Sequence, residues 1–228
     1  MIETLTLLSE QQREIQKVAR DFAAGRLAPN AGAWDKASEQ PASVVRELGD
    51  LGFLGMLLPE EYGGLGLDSL SYLLALEEIA AGDASTAVAM SVHNSLPTKM
   101  ILAFGSEKQK KTFLPKMASG EWLGAFALSE PEAGSDASAV RTQAVRDGDD
   151  WVLSGTKAWV TNGNRAQVIL AMARTDTPES RRGSRGISAF IISPDLPGFH
   201  VGKKEDKMGL RASPTVQLSF DGMRVPAD

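Results

Sequence analysis

Cysteine is absent from the 228-residue sequence, which excludes disulfides, thiolate nucleophiles and sulfur-ligated metals. Histidine is scarce: His93 and His200 are the only two, and without carboxylate partners at ligand spacing they give no reason to expect a metal. Charge of one sign is not in excess. The net charge of −5 comes from interspersed acids and bases, so no basic field invites nucleic acid or a membrane surface, and Lys108, Lys110 and Lys111 read as a solvated helix face. Long apolar runs are missing too. The uncharged stretch between Asp83 and Lys99 holds His93, Asn94 and Pro97 and falls short of the roughly 20 apolar residues a membrane-spanning helix needs, so it reads as a buried helix. The N-terminal MIETLTLLSEQQREI has no basic segment followed by an apolar one; no secretory leader is expected, and cytoplasm is the simplest location.

What is present divides near residue 120. A helical domain over residues 1–120 and a β domain over 121–228 fit a chain of this length. Ser9 with Gln12 forms a capping box ahead of Ile15, Val18, Ala19, Phe22 and Ala23 at helical spacing, and Gly25 and Pro29 are expected to end that helix. Pro41 opens a second helix that stops at Gly52, Asp68 caps a third running to Gly82, Asp83 or Ser85 starts a fourth, and Ser106 with Gln109 starts a fifth that ends near Gly120. Beyond this point apolar residues alternate with period two. Strands are expected over residues 123–128, 140–146, 151–161, 168–175, 187–192, 200–203 and 215–220, with Asp147-Gly148 as a hairpin turn and residues 177–185 as a polar loop. The run Val168 to Ala173 is apolar on both faces, so that strand should be covered on both sides.

Two segments stand out chemically. Ala125 to Asp136 reads AFALSEPEAGSD: a strand running into Ser-Glu-Pro and a Gly-Ser-Asp turn, which offers backbone N–H groups and two hydroxyls at one sheet edge. Turn composition by itself favours an ordinary surface turn. In GTKAWVTNG, from Gly155 to Gly163, a strand tryptophan is more often core and a strand threonine more often a good strand former than either is a ligand contact. Met90, Ser91, Asn94 and Leu96 could line a pocket or simply fill a core. Lys203 to Lys207 reads as a solvated charged turn.

In combination these segments resemble the acyl-CoA dehydrogenase family. MSVHNSL from Met90, FALSEP and GSD, GTKAWVTNG, GISAF from Gly186 and GKKEDKMGLRASPT from Gly202 occur in the family's order and spacing, and MSVHNSL with KKEDKMGLRAS is most similar to the short-chain, butyryl-CoA branch. EEYGGLGLD at residues 60–68 resembles the turn between the family's early helices. The resemblance implies an α+β fold: an N-terminal all-α domain followed by an antiparallel β-barrel-like domain, with the family's C-terminal helical domain, and the carboxylate it carries, expected beyond Asp228.

It also implies FAD as cofactor. Phe126 and Leu128 would present backbone to the flavin pyrimidine edge, Ser129 would hydrogen-bond the ring, Trp159 would pack against the isoalloxazine, and Thr161 would reach near N5. Ser135 would meet the pantetheine arm of the substrate and Ser184 its CoA end. No catalytic residue is assigned within the chain, because Glu130, the carboxylate inside the flavin-facing motif, resembles a structural position. Glu132 departs from the glycine more usual there. The implied reaction is α,β-dehydrogenation of a short acyl-CoA to the trans-2-enoyl-CoA, with electron-transferring flavoprotein as acceptor and a tetramer as assembly. Acyl-CoA oxidases and nitroalkane oxidases share this scaffold, and flavin reoxidation in air separates them. A non-catalytic fragment or assembly module is the reading from another class.

Overall fold

In a computed structural model of the protein, residues 8–175 and 183–227 are described. Helix α1 (Glu10–Phe22) begins as its capping box requires: the Ser9 hydroxyl accepts the Gln12 N–H at 3.1 Å, and the Gln12 side chain accepts the Ser9 N–H at 3.0 Å. It does not stop at Gly25 or Pro29. A five-residue π turn (Ala23–Leu27) carries it into α2 (Ala28–Ala37). The wider turn lets the Ala28 N–H donate to the Ala23 carbonyl and accommodates Pro29, which has no N–H to give to the preceding turn.

Helix α3 (Ala42–Asp50) follows Pro41 and closes at Gly52 with φ 76°. Asp68 caps α4 (Ser69–Gly82), and Asp83 caps α5 (Ala84–His93). A second π turn (Asn94–Thr98) absorbs Pro97 and leads into α6 (Lys99–Phe104), so the uncharged stretch is a longer, interrupted helix. The Ser106–Gln109 box opens α7 (Glu107–Ala118). Leu27, Val44, Leu48, Leu54, Met56 and Ile79 are among the residues closed off at the centre of this domain, each worth about 1.5–3 kcal/mol of burial. No helix among the described residues is long and apolar enough to cross a membrane.

The β region contains β1 (Gly124–Ala127), β2 (Gln143–Asp147), β3 (Asp150–Thr161), β4 (Val168–Arg174), β5 (Ile187–Ile192), β6 (Phe199–Lys204) and β7 (Thr215–Pro226). Of the polar loop expected over 177–185, residues 177–182 lie outside the described ones, and Gly183–Gly186 forms a short 3-10 turn. The helices-then-sheet order holds, but the sheet is mixed where a wholly antiparallel one is expected. β1 runs parallel to β4, with Gly124 opposite Val168, and β4 is antiparallel to β5. The β2–β3 hairpin lies inside the β1-to-β4 connection, giving the length a parallel crossover requires. Period-two alternation marks a strand but not its partner.

β4 is covered on both sides as its sequence implies. Val168 packs in a cluster with Leu58, Ile101, Leu114 and Met117, whereas Ile169, Ala171 and Ala173 face the interior of the curled sheet. The two regions are joined closely. The Gly124 N–H donates to His93 Nδ1 at 2.9 Å, and a side chain at Gly124 would meet Pro97 Cγ at 2.7 Å. Asp35 accepts the Arg211 N–H at 2.8 Å and its guanidinium at 2.6 and 2.8 Å.

Candidate functional site

β3 pairs with β7 along its length, but the register shifts between Lys157 and Val160. In that bulge Trp159 adopts φ 55° and is 59% exposed. A left-handed backbone on a bulky residue costs on the order of 1–3 kcal/mol, and an indole in water forgoes burial as well. Bulges recur next to active sites because they re-aim a side chain, so the strand tryptophan that composition assigns to the core is instead turned outward.

The bulge reaches β1. The Ala158 N–H donates to the Ser129 carbonyl at 2.8 Å, which sets Trp159 beside the Ser-Glu-Pro turn. Along β1, Ala125 and Ala127 point into the core with no exposure, and Phe126 and Leu128 occupy the opposite, half-buried face. Ser129 and Thr161 are also half-buried. Thr161 lies opposite Thr215 at the end of β3, and the corner behind it is fixed. The Asn162 N–H donates to the Pro214 carbonyl at 3.0 Å, and the Asn162 side chain accepts Arg165 at 3.0 Å. Burial pushes the Arg165 guanidinium down to about 10, which leaves it charged at neutral pH.

Beneath this face lies a buried ion pair. Lys157 has no exposure; its ammonium donates to Glu130 Oε1 at 2.7 Å and to the Leu128 carbonyl at 3.1 Å. Glu130 also accepts the Arg141 N–H at 2.6 Å and the Thr142 N–H at 2.9 Å. Burial pushes the Glu130 carboxyl up, but the ammonium and the N–H donors outweigh it and hold it below its ordinary value. At Lys157 burial prevails over Glu130 and lowers the ammonium. With both oxygens engaged, Glu130 is not available as a general base.

The rim carries the remaining candidates. Ser135 is exposed after the Glu130–Ala133 turn, and exposed Ser184 lies in the 3-10 turn that packs beside Ala137–Ala139. Arg174 ties the same rim by donating to the Ser138 carbonyl at 2.7 Å. Glu132 pairs with the Arg141 guanidinium, so the acid that replaces the expected glycine is partly neutralised. Met90 and Asn94 are core: Asn94 Nδ2 donates to the Phe53 and Met90 carbonyls, both at 3.0 Å. Ser91 and Leu96 stay partly accessible. His93 is fully buried, and burial pushes its imidazole down to about 4, so it is neutral. A cavity of about 560 Å³ lies elsewhere, lined by Phe113, Trp122, Trp151, Phe190 and Leu196.

Comparison with known proteins supplies the family. The family model for the acyl-CoA dehydrogenase N-terminal domain matches residues 9–121, and that for the middle domain matches residues 125–223. The chain belongs to the acyl-CoA dehydrogenase family. It is 48% identical over 221 residues to the mitochondrial short-chain specific acyl-CoA dehydrogenase of Bos taurus, an alignment covering 97% of this chain and 53% of the relative. The structure of butyryl-CoA dehydrogenase from Megasphaera elsdenii superposes with a TM-score of 0.91 at 42% identity, covering 96% of this chain and 58% of that one. A glutaryl-CoA dehydrogenase from Mycobacterium smegmatis in complex with FADH2 gives a TM-score of 0.91 at 41% identity, covering 99% and 56%. The chain spans a little over half the length of these acyl-CoA dehydrogenases.

Sequence reasoning missed Lys157, Asn162 and Arg165. Lys157 carried no local signal, because in an alternating strand a lysine between inward-facing neighbours such as Ala158 ordinarily points to solvent. Nothing local marks Asn162 and Arg165 as a corner brace.

Proposed function

We propose that this chain provides the flavin-facing and thioester-facing surfaces of an FAD-dependent acyl-CoA dehydrogenase that converts a short acyl-CoA to its trans-2-enoyl-CoA. The observation that carries the reading is Trp159, exposed at φ 55° in a bulge bonded to Ser129. The surface fits an isoalloxazine: an indole for stacking, the Ser129 and Thr161 hydroxyls for its polar edge, and the Phe126 and Leu128 backbone along the strand. When bound, FAD supplies the hydride acceptor.

The chain's own residues bind and orient. Trp159 excludes water from one ring face, and Ser135 and Ser184 contact the pantetheine arm and the CoA end of the substrate. Glu130 is held by Lys157 and removes no proton. Electron-transferring flavoprotein as acceptor, a homo-oligomeric assembly and a cytoplasmic location belong to the same proposal. The direct test is titration with FAD followed by visible absorption, comparing the natural chain with Trp159→Ala. A bound yellow flavin whose affinity or band changes in the variant supports the reading; identical spectra and affinities remove Trp159 from the site. In the full-length enzyme butyryl-CoA should be turned over in preference to octanoyl-CoA, with slow reoxidation in air.

A further inference from the structure

We propose that the buried Glu130–Lys157 pair is the positioning device of the flavin-facing surface, holding the Ser129 turn and the Trp159 bulge at a fixed separation without touching the cofactor. The inference rests on the FAD reading above. Four segments meet at this pair. Lys157 belongs to the β3 bulge, Glu130 opens the turn after β1, the Leu128 carbonyl lies at the end of β1, and the Arg141 and Thr142 N–H groups belong to the approach to β2.

A sheet ordinarily fixes such segments through its backbone ladder, and here the ladder is interrupted. β1 ends at Ala127, β2 begins at Gln143, and β3 leaves its register with β7 between Lys157 and Val160. The gap is bridged by the Lys157 ammonium, the Glu130 carboxylate and the Ala158-to-Ser129 backbone bond. Trp159 is two residues from Lys157, and Ser129 stands between the two residues whose oxygens receive the ammonium. Any shift of the pair therefore moves both groups assigned to the flavin.

Stability alone does not call for two charges in this place. A buried ion pair and a well-packed apolar pair of similar volume are often equivalent in stability. An apolar pair, however, cannot accept the Arg141 and Thr142 N–H groups while donating to the Leu128 carbonyl, and those peptide groups would be left unsatisfied. Glu130 and Lys157 are positioning residues in this account, and neither is catalytic.

The test uses the intact FAD-loaded protein. The double variant Glu130→Gln/Lys157→Met removes both charges together and so avoids stranding one. It should fold, bind FAD at least tenfold more weakly and shift the flavin absorption and circular dichroism bands, because the ring meets a displaced Ser129 and Trp159. Glu130→Asp keeps the charge but shortens the carboxylate, and is expected to weaken FAD several-fold with the same spectral shift; it decides the matter if the double variant does not fold. Folded variants that bind FAD within twofold of the natural protein, with unchanged bands, overturn the proposal. If Trp159→Ala then still disturbs the spectrum, the FAD reading stands and only the positioning role fails. A natural protein that takes up no FAD overturns both.

Discussion

Replacing Trp159 with glycine separates the cost of presenting this residue from the benefit. An aromatic side chain buries roughly 150–250 Å² when fully covered. The 59% left exposed in Trp159 therefore offers about 90–150 Å² to a ligand, or about 2–4 kcal/mol at roughly 25 cal/mol per Å². Ordering a cofactor offsets part of this, so a loss of about 30- to 100-fold in FAD affinity is expected. The folded chain should respond differently. Glycine gives up the burial of the remaining two fifths, about 1.5–2.5 kcal/mol, but it adopts φ 55° freely and removes strain of about 1–3 kcal/mol. Unfolding stability without FAD should thus stay within about 1.5 kcal/mol of the natural chain. Trp159→Ala keeps the strain and should be the less stable of the two. The assay pairs urea denaturation of the FAD-free protein with FAD titration of each variant. Affinity retained within threefold, or a stability loss above about 3 kcal/mol that by itself accounts for weaker binding, would refute the reasoning.

Three further outcomes are expected. His93 sits at about 4 when folded against about 6.5 unfolded; its contribution is fully present above pH 6.5 and is lost as pH falls toward 4, about 2 kcal/mol by pH 5. Urea midpoints at pH 7 and 5 should show this, and a His93→Gln chain that folds should lose that pH dependence. Gly124→Ala should destabilise by about 1–3 kcal/mol, because the new methyl meets Pro97 Cγ at 2.7 Å and Met117 Cε at 2.9 Å; an unchanged melting temperature would contradict that packing. Residues 1–228 by themselves, given FAD, butyryl-CoA and an artificial electron acceptor, should turn over at least about 10²-fold more slowly than an intact dehydrogenase, since both Glu130 oxygens are engaged; comparable flavin bleaching would mean that a base lies within the chain.

Much of the fold can be read from local chemistry. The boxes at Ser9–Gln12 and Ser106–Gln109 and the caps at Asp68 and Asp83 are short-range devices, and each stands where the residues imply; the hairpin turn falls on Gly148-Asp149, one residue after the expected Asp147-Gly148. The π turns are less legible. Gly25 and Pro29 signal a stop, yet one extra residue per turn absorbs them, and the π turns pack against elements distant in sequence, α4 for the first and β1 for the second. The parallel β1–β4 pairing is likewise a long-range choice that alternation does not encode. At the site, the motifs carrying Ser129, Trp159 and Thr161 stand out in the sequence, and the bonded Ala158–Ser129 contact brings them together. The outward turn of Trp159 was hidden because a bulge depends on the register between two strands. Lys157 was hidden because its partner lies 27 residues away.

A crystal structure of the protein with FAD tests the central claim most directly. The account predicts the isoalloxazine against the Trp159 indole, with the Ser129 and Thr161 hydroxyls within hydrogen-bond distance of its polar atoms. A flavin seated instead in the aromatic cavity of Phe113, Trp122, Trp151 and Phe190, with Trp159 still facing water, would contradict it.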